Sequence, residues 1–267
     1  FLRGWWRLNK DVSAGGNIEN SASLDAGSVG TPAVGGSGKA PVFDATDAPS
    51  KFISTTGGTC KFESTAPYQL LAVNDSDKLT FASGGNDLPF SISTWLKLDP
   101  ASATSRTIIA KYQTSSPSGE WFFYIRSNST AELLLWDNTN SKVVRSTNTH
   151  TLPNLEWFHL TVTYNGQAKN VANPADFNGI KIYVNGEAIP AGDFTYLTQA
   201  GYACMVNTSN TVTIGTATDT TGTQFLGNIA EVALLATELT ENQVKALYDG
   251  GKNGPYYQSF STISQML

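Results

Sequence analysis

The chain has 267 residues, a formal charge of −5 and only 15% charged residues, against roughly a quarter in an average globular protein. That balance excludes the basic footprint a nucleic-acid binder needs. No run of about 18 or more apolar residues occurs, which excludes a membrane-spanning helix. A 40% hydrophobic share still supplies a sizeable core, with Ser, Thr, Asn and Gly wetting the surface.

In chain order, Gly4 to Leu8 (GWWRL) reads as a first strand. Residues Asn9 to Ala40 are rich in Gly, Ser and Ala and read as a long surface excursion. Short strands are expected at Lys51 to Ile53, Cys60 to Phe62, Gln69 to Val73 and Lys78 to Phe81. From Phe90 the signal strengthens: β-branched and aromatic runs alternate with Gly, Asn, Asp, Ser and Pro clusters. Strands are predicted at Phe90 to Leu98, Arg106 to Tyr112, Glu120 to Arg126, Ala131 to Trp136, Lys142 to Ser146, Glu156 to Tyr164, Gly179 to Val184, Thr211 to Ile214 and Ile229 to Leu235. Turns fall at Ser127 to Thr130, Asp137 to Asn140, Asn165-Gly166 and Asn185-Gly186, the last two being preferred hairpin pairs.

One helix is marked, Leu239 to Gly250. Thr240 is its N-cap and Gln243 completes a capping box. Val244, Leu247 and Tyr248 share a face, and Gly250 offers a C′ stop. A lone helix after many strands plugs a sandwich; a parallel sheet would need strands and helices in alternation.

Four blocks, Phe90 to Pro100 (FSISTWLKLDP), Glu156 to Gly166 (EWFHLTVTYNG), Ile180 to Gly186 (IKIYVNG) and Phe225 to Tyr248 (FLGNIAEVALLATELTENQVKALY), resemble successive motifs of the laminin-G-like, concanavalin A-like lectin/glucanase superfamily. The resemblance covers most of 90–250, and more loosely GWWRL with the following NSASLDAG. It implies an all-β fold, a two-sheet antiparallel jelly-roll sandwich with one short C-terminal helix, occupying 1–267 as a single domain. Residues 1–89 are then its irregular N-terminal part and 251–267 a tail. Ala230 departs from the pattern, since the family often has Asp beside the Glu that matches Glu231. Relatives include lectins, adhesion domains, glycanases and virion parts, so function must be argued from a site.

Retaining glycanases need two carboxylates about 5–5.5 Å apart, which same-face strand positions supply at a spacing of two. No such pair stands out: Glu120 and Glu132 are isolated, Glu231 has no acidic neighbour two away, and Asp75 and Asp77 read as a solvated turn. No serine elbow or C-x-x-C occurs, and His150 and His159 are the only histidines. Cys60 and Cys204 are either bridged or two reduced thiols.

Phe158, Leu160, Val162 and Tyr164 share a core face, which turns Trp157 and His159 the other way; Trp95 opposes Phe90, Ile92 and Leu96 likewise. Trp95, Trp157 and His159 are therefore candidates for a sugar platform, or else pack beneath covering segments. Asp137, Asn138 and Asn140 are hard oxygen donors at close spacing, read either as a calcium and ligand site or as an ordinary Asx turn. Asn74, Asn128 and Asn207 match the glycosylation pattern, as chance also produces in so Asn- and Ser-rich a chain.

The expected function is a non-catalytic surface module. It binds glycan or surface protein, or builds a virion or extracellular appendage, alone or as a homo-oligomer, without nucleic-acid partners or membrane insertion. The lack of a signal-peptide pattern, an initiator Met or a catalytic centre tilts that expectation towards a virion or appendage. The rival is a glycan-active hydrolase or lyase with its acids on separate strands.

Overall fold

The computed structural model describes residues 2–8, 33–34, 41–44, 59–63, 68–100, 104–113, 118–168, 179–217 and 223–253. The N-terminal strands are β1 (Leu2–Trp6), β2 (Ala33–Val34), β3 (Val42–Asp44), β4 (Thr59–Phe62), β5 (Leu71–Val73), β6 (Ala82–Ser83) and β7 (Asn86–Asp87). The central ones are β8 (Phe90–Leu98), β9 (Arg106–Gln113), β10 (Ser118–Ile125), β11 (Ala131–Asp137), β12 (Lys142–Asn148) and β13 (Trp157–Tyr164). There follow β14 (Ile180–Val184), β15 (Glu187–Ala188), β16 (Phe194–Thr198), β17 (Val212–Ile214), β18 (Gly227–Leu235) and the helix α1 (Glu241–Asn253).

Two large antiparallel sheets result. The first runs β15-β14-β13-β8-β18-β4-β3, with β1 also on β18; the second runs β16-β12-β11-β10-β9-β17-β5-β2. Alternation drives their packing. Phe90, Ile92, Leu96 and Leu98 of β8 and Phe158, Leu160, Val162 and Tyr164 of β13 turn inward. They meet Trp121, Phe123 and Ile125 of β10 and Leu133 and Leu135 of β11 in one buried cluster. Phe81 stacks on Phe90 at 4.4 Å.

The other face of the first sheet is covered as well. Trp5, Trp95, Tyr183, Ala230, Ala233 and Leu235 form a second cluster with Leu239, just before α1, and Val244 and Leu247 of α1. The capping box holds the helix start: Thr240 N donates to Gln243 Oε1 (2.8 Å), and Gln243 N to Thr240 Oγ1 (3.4 Å). Helix α1 therefore lies as a third layer over the sheet. Ala230 belongs to this apolar cluster, where an Asp would have to be buried without a partner.

A bulge breaks β18 against β8 between Ala230 and Ala233, and Glu231 within it takes φ +54°. On the opposite edge of β18, β4 pairs before the bulge and β1 after it. The kink thus lets one strand serve two neighbours in turn.

Several expectations change. Lys78 to Phe81 is not a strand: Asp77–Leu79 is a 3-10 turn, started by Ser76 Oγ accepting from Lys78 N. Helix α1 does not stop at Gly250 but runs to Asn253, with Gly251 buried. A glycine permits a stop without forcing one. Strands β6, β7, β15 and β16 are too short or too polar to stand out by alternation. The predicted strand Lys51 to Ile53 and most of the Asn9 to Ala40 excursion lie outside the described residues, although residues 33–34 of that excursion pair as β2. Cys60 and Cys204 are not joined in a disulfide.

Candidate functional site

The register of β8 on β13 sets His159 opposite Trp95 and Trp157 opposite Lys97, so the three predicted platform residues do share a face. That face is covered. Trp95 is 5% exposed and His159 fully buried, and Tyr248 of α1 stacks over both, at 5.7 Å and 6.1 Å. Trp157 is half-buried against the same cluster. His159 Nε2 meets Ser93 Oγ at 2.8 Å, and burial pushes the imidazole down to about 3. A sugar ring has no access to Trp95 while Tyr248 occupies its stacking position. In this structure Trp95, Trp157 and His159 pack beneath a covering element, which corrects the platform reading.

Asp137 is buried at the end of β11. Its Oδ1 accepts from Asn140 N (3.0 Å), and its Oδ2 from Asn140 Nδ2 (2.7 Å) and Ala203 N (2.8 Å). Burial alone would raise its pKa, but these donors hold the carboxyl below the usual range. Asn138 turns its oxygen to Gly119 N at 3.2 Å. N–H groups thus satisfy both Asp137 oxygens and the Asn138 oxygen without a cation. Asp137, Asn138 and Asn140 form an Asx turn that ties β11 to the Ala203 loop. Among the described residues no group of three or more His, Cys, Asp or Glu gathers as a metal cluster would.

Paired acids do come together, but around a cation. The buried Lys111 Nζ lies 2.8 Å from Asp75 Oδ1 and 2.7 Å from Glu120 Oε1. Thr208 N and Thr80 Oγ1 also reach Glu120 Oε1. Burial raises the Glu120 pKa, and Lys111 opposes the rise. The triad fastens the turn after β5 to β9 and β10. Likewise Asp87, buried, accepts from Tyr164 OH (2.6 Å), Tyr202 OH (2.8 Å) and Met205 N (2.7 Å), which pins the 202–205 loop to β13.

A different surface carries the features of a binding site. On the second sheet, the positions between the core residues of β9, β10 and β11 are aromatic too. Tyr112 and Phe122 stack at 5.5 Å, Phe122 and Tyr124 at 4.3 Å, and Trp136 meets Tyr112 edge-on at 6.1 Å. Tyr112 and Phe122 are nearly closed off, while Tyr124, Leu134 and Trp136 each remain half-buried. Trp136 Nε1 is buried, with no hydrogen-bond acceptor among the described residues. Beside the row, Glu132 accepts from Tyr124 OH at 2.5 Å and from Arg126 Nη1 at 3.3 Å. Burial raises the Glu132 pKa; Tyr124, Arg126 and Arg145 pull the other way. The sequence reading missed this face because EWFFYIR is apolar on both sides. The available signal was Phe122 and Tyr124 repeating at a spacing of two, matched on the next strand by Leu134 and Trp136.

The concanavalin A-like lectin/glucanases superfamily model, of the laminin-G type, matches residues 54–245, more than half of the chain. The chain belongs to that superfamily. This laminin-G-like chain has no match among curated protein sequences. Its solved neighbours share the fold at low identity. The binding domain of Paraclostridial Mosquitocidal Protein 1 superposes with TM-score 0.62 and 12% identity over 94% of this chain and 52% of that one. Domain 4 of AbnA, a GH43 extracellular arabinanase from Geobacillus stearothermophilus solved in complex with arabinotriose, gives 0.56 and 15% over 91% and 96%. The binding domain of botulinum neurotoxin DC, solved in complex with rat synaptotagmin II, gives 0.58 and 16% over 94% and 52%. The chain thus spans about half the length of the toxin binding domains it matches.

Proposed function

We propose that this laminin-G-like chain is a non-catalytic binding module that takes glycan on the outer face of its second sheet. The observation that carries the reading is the row Tyr112–Phe122–Tyr124 with Trp136 edge-on beside it, Tyr124 and Trp136 being only half-buried. A pyranose or furanose ring offers an apolar C–H face, which stacks on aromatic rings, and hydroxyls, which need donors and acceptors at the rim. The half-buried Tyr124 and Trp136 supply ring faces, and Arg126, held at the rim by the buried Glu132, supplies a charged donor. A neighbouring domain of the same size and fold, solved with arabinotriose, supports this choice of ligand class.

A protein ligand is the second reading, favoured by the neurotoxin domain solved with synaptotagmin II. Either ligand suits a module displayed outside the cell, on a virion surface or on an appendage. Adhesion is the corresponding role. The chain has no described helix long and apolar enough to cross a membrane.

A glycan array probed with the whole chain, with and without EDTA, tests the reading. Binding that is unchanged by EDTA and lost in Trp136→Ala and Tyr124→Ala supports it. Binding abolished by EDTA contradicts the metal-free reading of the aromatic face. Release of shorter sugars from a bound oligosaccharide contradicts the non-catalytic assignment.

A further inference from the structure

A cleft of roughly 500 Å³ opens at one end of the sandwich, away from the aromatic row. Its size lies within the range of small-molecule sites, about 300–1,000 Å³. It forms where the 77–89 connection meets the start of β1, the 207 loop and Ala236 after β18. One wall is apolar, made by Phe81, Ala82, Leu88 and Pro89. Leu88 is 42% exposed, unusual for a large aliphatic side chain in the described residues. The other wall carries Arg3, Lys78, Asp77, Thr80 and Asn207.

The polar wall is held in place before any ligand arrives. Lys111 Nζ donates to Thr80 Oγ1 (2.9 Å), Thr80 Oγ1 to Asn207 Oδ1 (2.8 Å), and Asn207 Nδ2 to Asp77 Oδ1 (2.7 Å). This chain of bonds starts at a fully buried ammonium and ends at the cleft, so Asn207 and Asp77 present fixed atoms at little ordering cost. Arg3 is different: among the described residues its guanidinium makes no ion pair, although Asp77 lines the same cleft. Among the described lining residues the charged groups are Arg3, Lys78 and Asp77.

We infer that this cleft binds a uronate-type sugar unit, a carboxylate carried on a hydroxylated ring. The carboxylate pairs with the planar donor fork of Arg3, with Lys78 adding charge, since guanidinium matches carboxylate geometry. The ring hydroxyls reach Asp77 and Asn207, and the C–H face lies on Leu88 and Pro89. A neutral sugar leaves Arg3 unanswered, and a simple aliphatic carboxylate leaves the apolar wall and the Asp77–Asn207 pair unused. The site is separate from the aromatic row and stands or falls independently of it.

Isothermal titration of the whole chain with galacturonate trisaccharide, its methyl ester and neutral galactotriose tests the inference. The expected result is binding of the acid at least about tenfold tighter than of the ester or the neutral sugar, a difference that one charge-assisted hydrogen bond accounts for. Arg3→Gln removes that preference, whereas Lys181→Gln, which removes a cation at an exposed position outside the cleft, leaves it intact. Lys78→Gln and Asn207→Ala, both at exposed positions, serve as second variants should Arg3→Gln fold poorly. No binding of the acid, equal binding of acid and ester, wild-type affinity in all three cleft variants, or loss of acid binding in Lys181→Gln would overturn it.

Discussion

Two titratable side chains, His159 and Glu231, are enclosed on the outer side of the first sheet, and pH acts on them in opposite directions. His159 has no room for a charge, and its imidazole is pushed down from 6.5 to about 3 by burial. Between those values the unfolded chain binds the proton and the folded one does not, so stability falls as pH drops through that window. Glu231 accepts from Trp5 Nε1 at 2.5 Å and pairs with Arg7 at 3.1 Å, yet burial still pushes its carboxyl up from 4.5 to about 7. Between those values the unfolded carboxyl is ionised and the folded one protonated, so this group costs stability as pH rises. His159→Gln is therefore expected to flatten the acid side of a stability–pH profile, and Glu231→Gln to flatten the decline from 4.5 to 7. Denaturant melts at several pH values read both slopes; an unchanged slope in either variant contradicts the assigned burial. The alternation of FSISTWLKL and EWFHLTVTY was enough to place Trp95 and His159 on one face. What lies over that face was not legible, because the cover comes from Tyr248, nearly ninety residues further along the chain.

At the scale of elements, α1 and the β18 bulge do the positioning. The helix was readable from Thr240, Gln243 and the Val244–Leu247–Tyr248 stripe, since caps and periodicity are local signals. Thr240→Ala removes the N-cap and is expected to cost about 1 kcal/mol. Leu247→Ala leaves a hole under the fully buried side of the helix and is expected to cost about 2–5 kcal/mol. Urea unfolding distinguishes a helix that is packed, with both costs seen, from one that is only apposed, with neither. Gly227 opens β18 at φ +128°, where a Cβ would collide with the Lys97 carbonyl. Gly227→Ala should cost about 1–3 kcal/mol in the same experiment, from backbone strain at a position that only glycine tolerates readily. The bulge itself was hidden in the sequence. Glu231 lies inside an otherwise regular apolar run, and nothing in IAEVALL says that β4 must hand over to β1 beside it. Short strands such as β15 and β16 were hidden for the related reason that their pairing comes from a neighbour's free edge.

For the whole molecule, the four motif blocks led to a two-sheet antiparallel sandwich, and the superfamily match across 54–245 agrees. The N-terminal part was less legible because its strands are two to five residues long and are recruited one at a time to distant sheet edges. The binding surface was the least legible part. A sheet buried on both faces and a sheet with an aromatic binding face share one pattern, apolar at every position, and only tertiary packing separates them. Here it covers Trp95 and leaves Tyr124 and Trp136 half-open. The central claim is that this second-sheet face holds a glycan. The most direct test is a glycan array comparing the wild-type chain with Trp136→Ala and Tyr124→Ala, with circular dichroism confirming that all three are folded. The account predicts that the wild type retains a defined set of glycans and that each variant loses at least about tenfold in affinity for them, as removing an aromatic stacking partner does. Glycan binding that survives both substitutions, or a folded wild-type chain that retains no glycan, would contradict it.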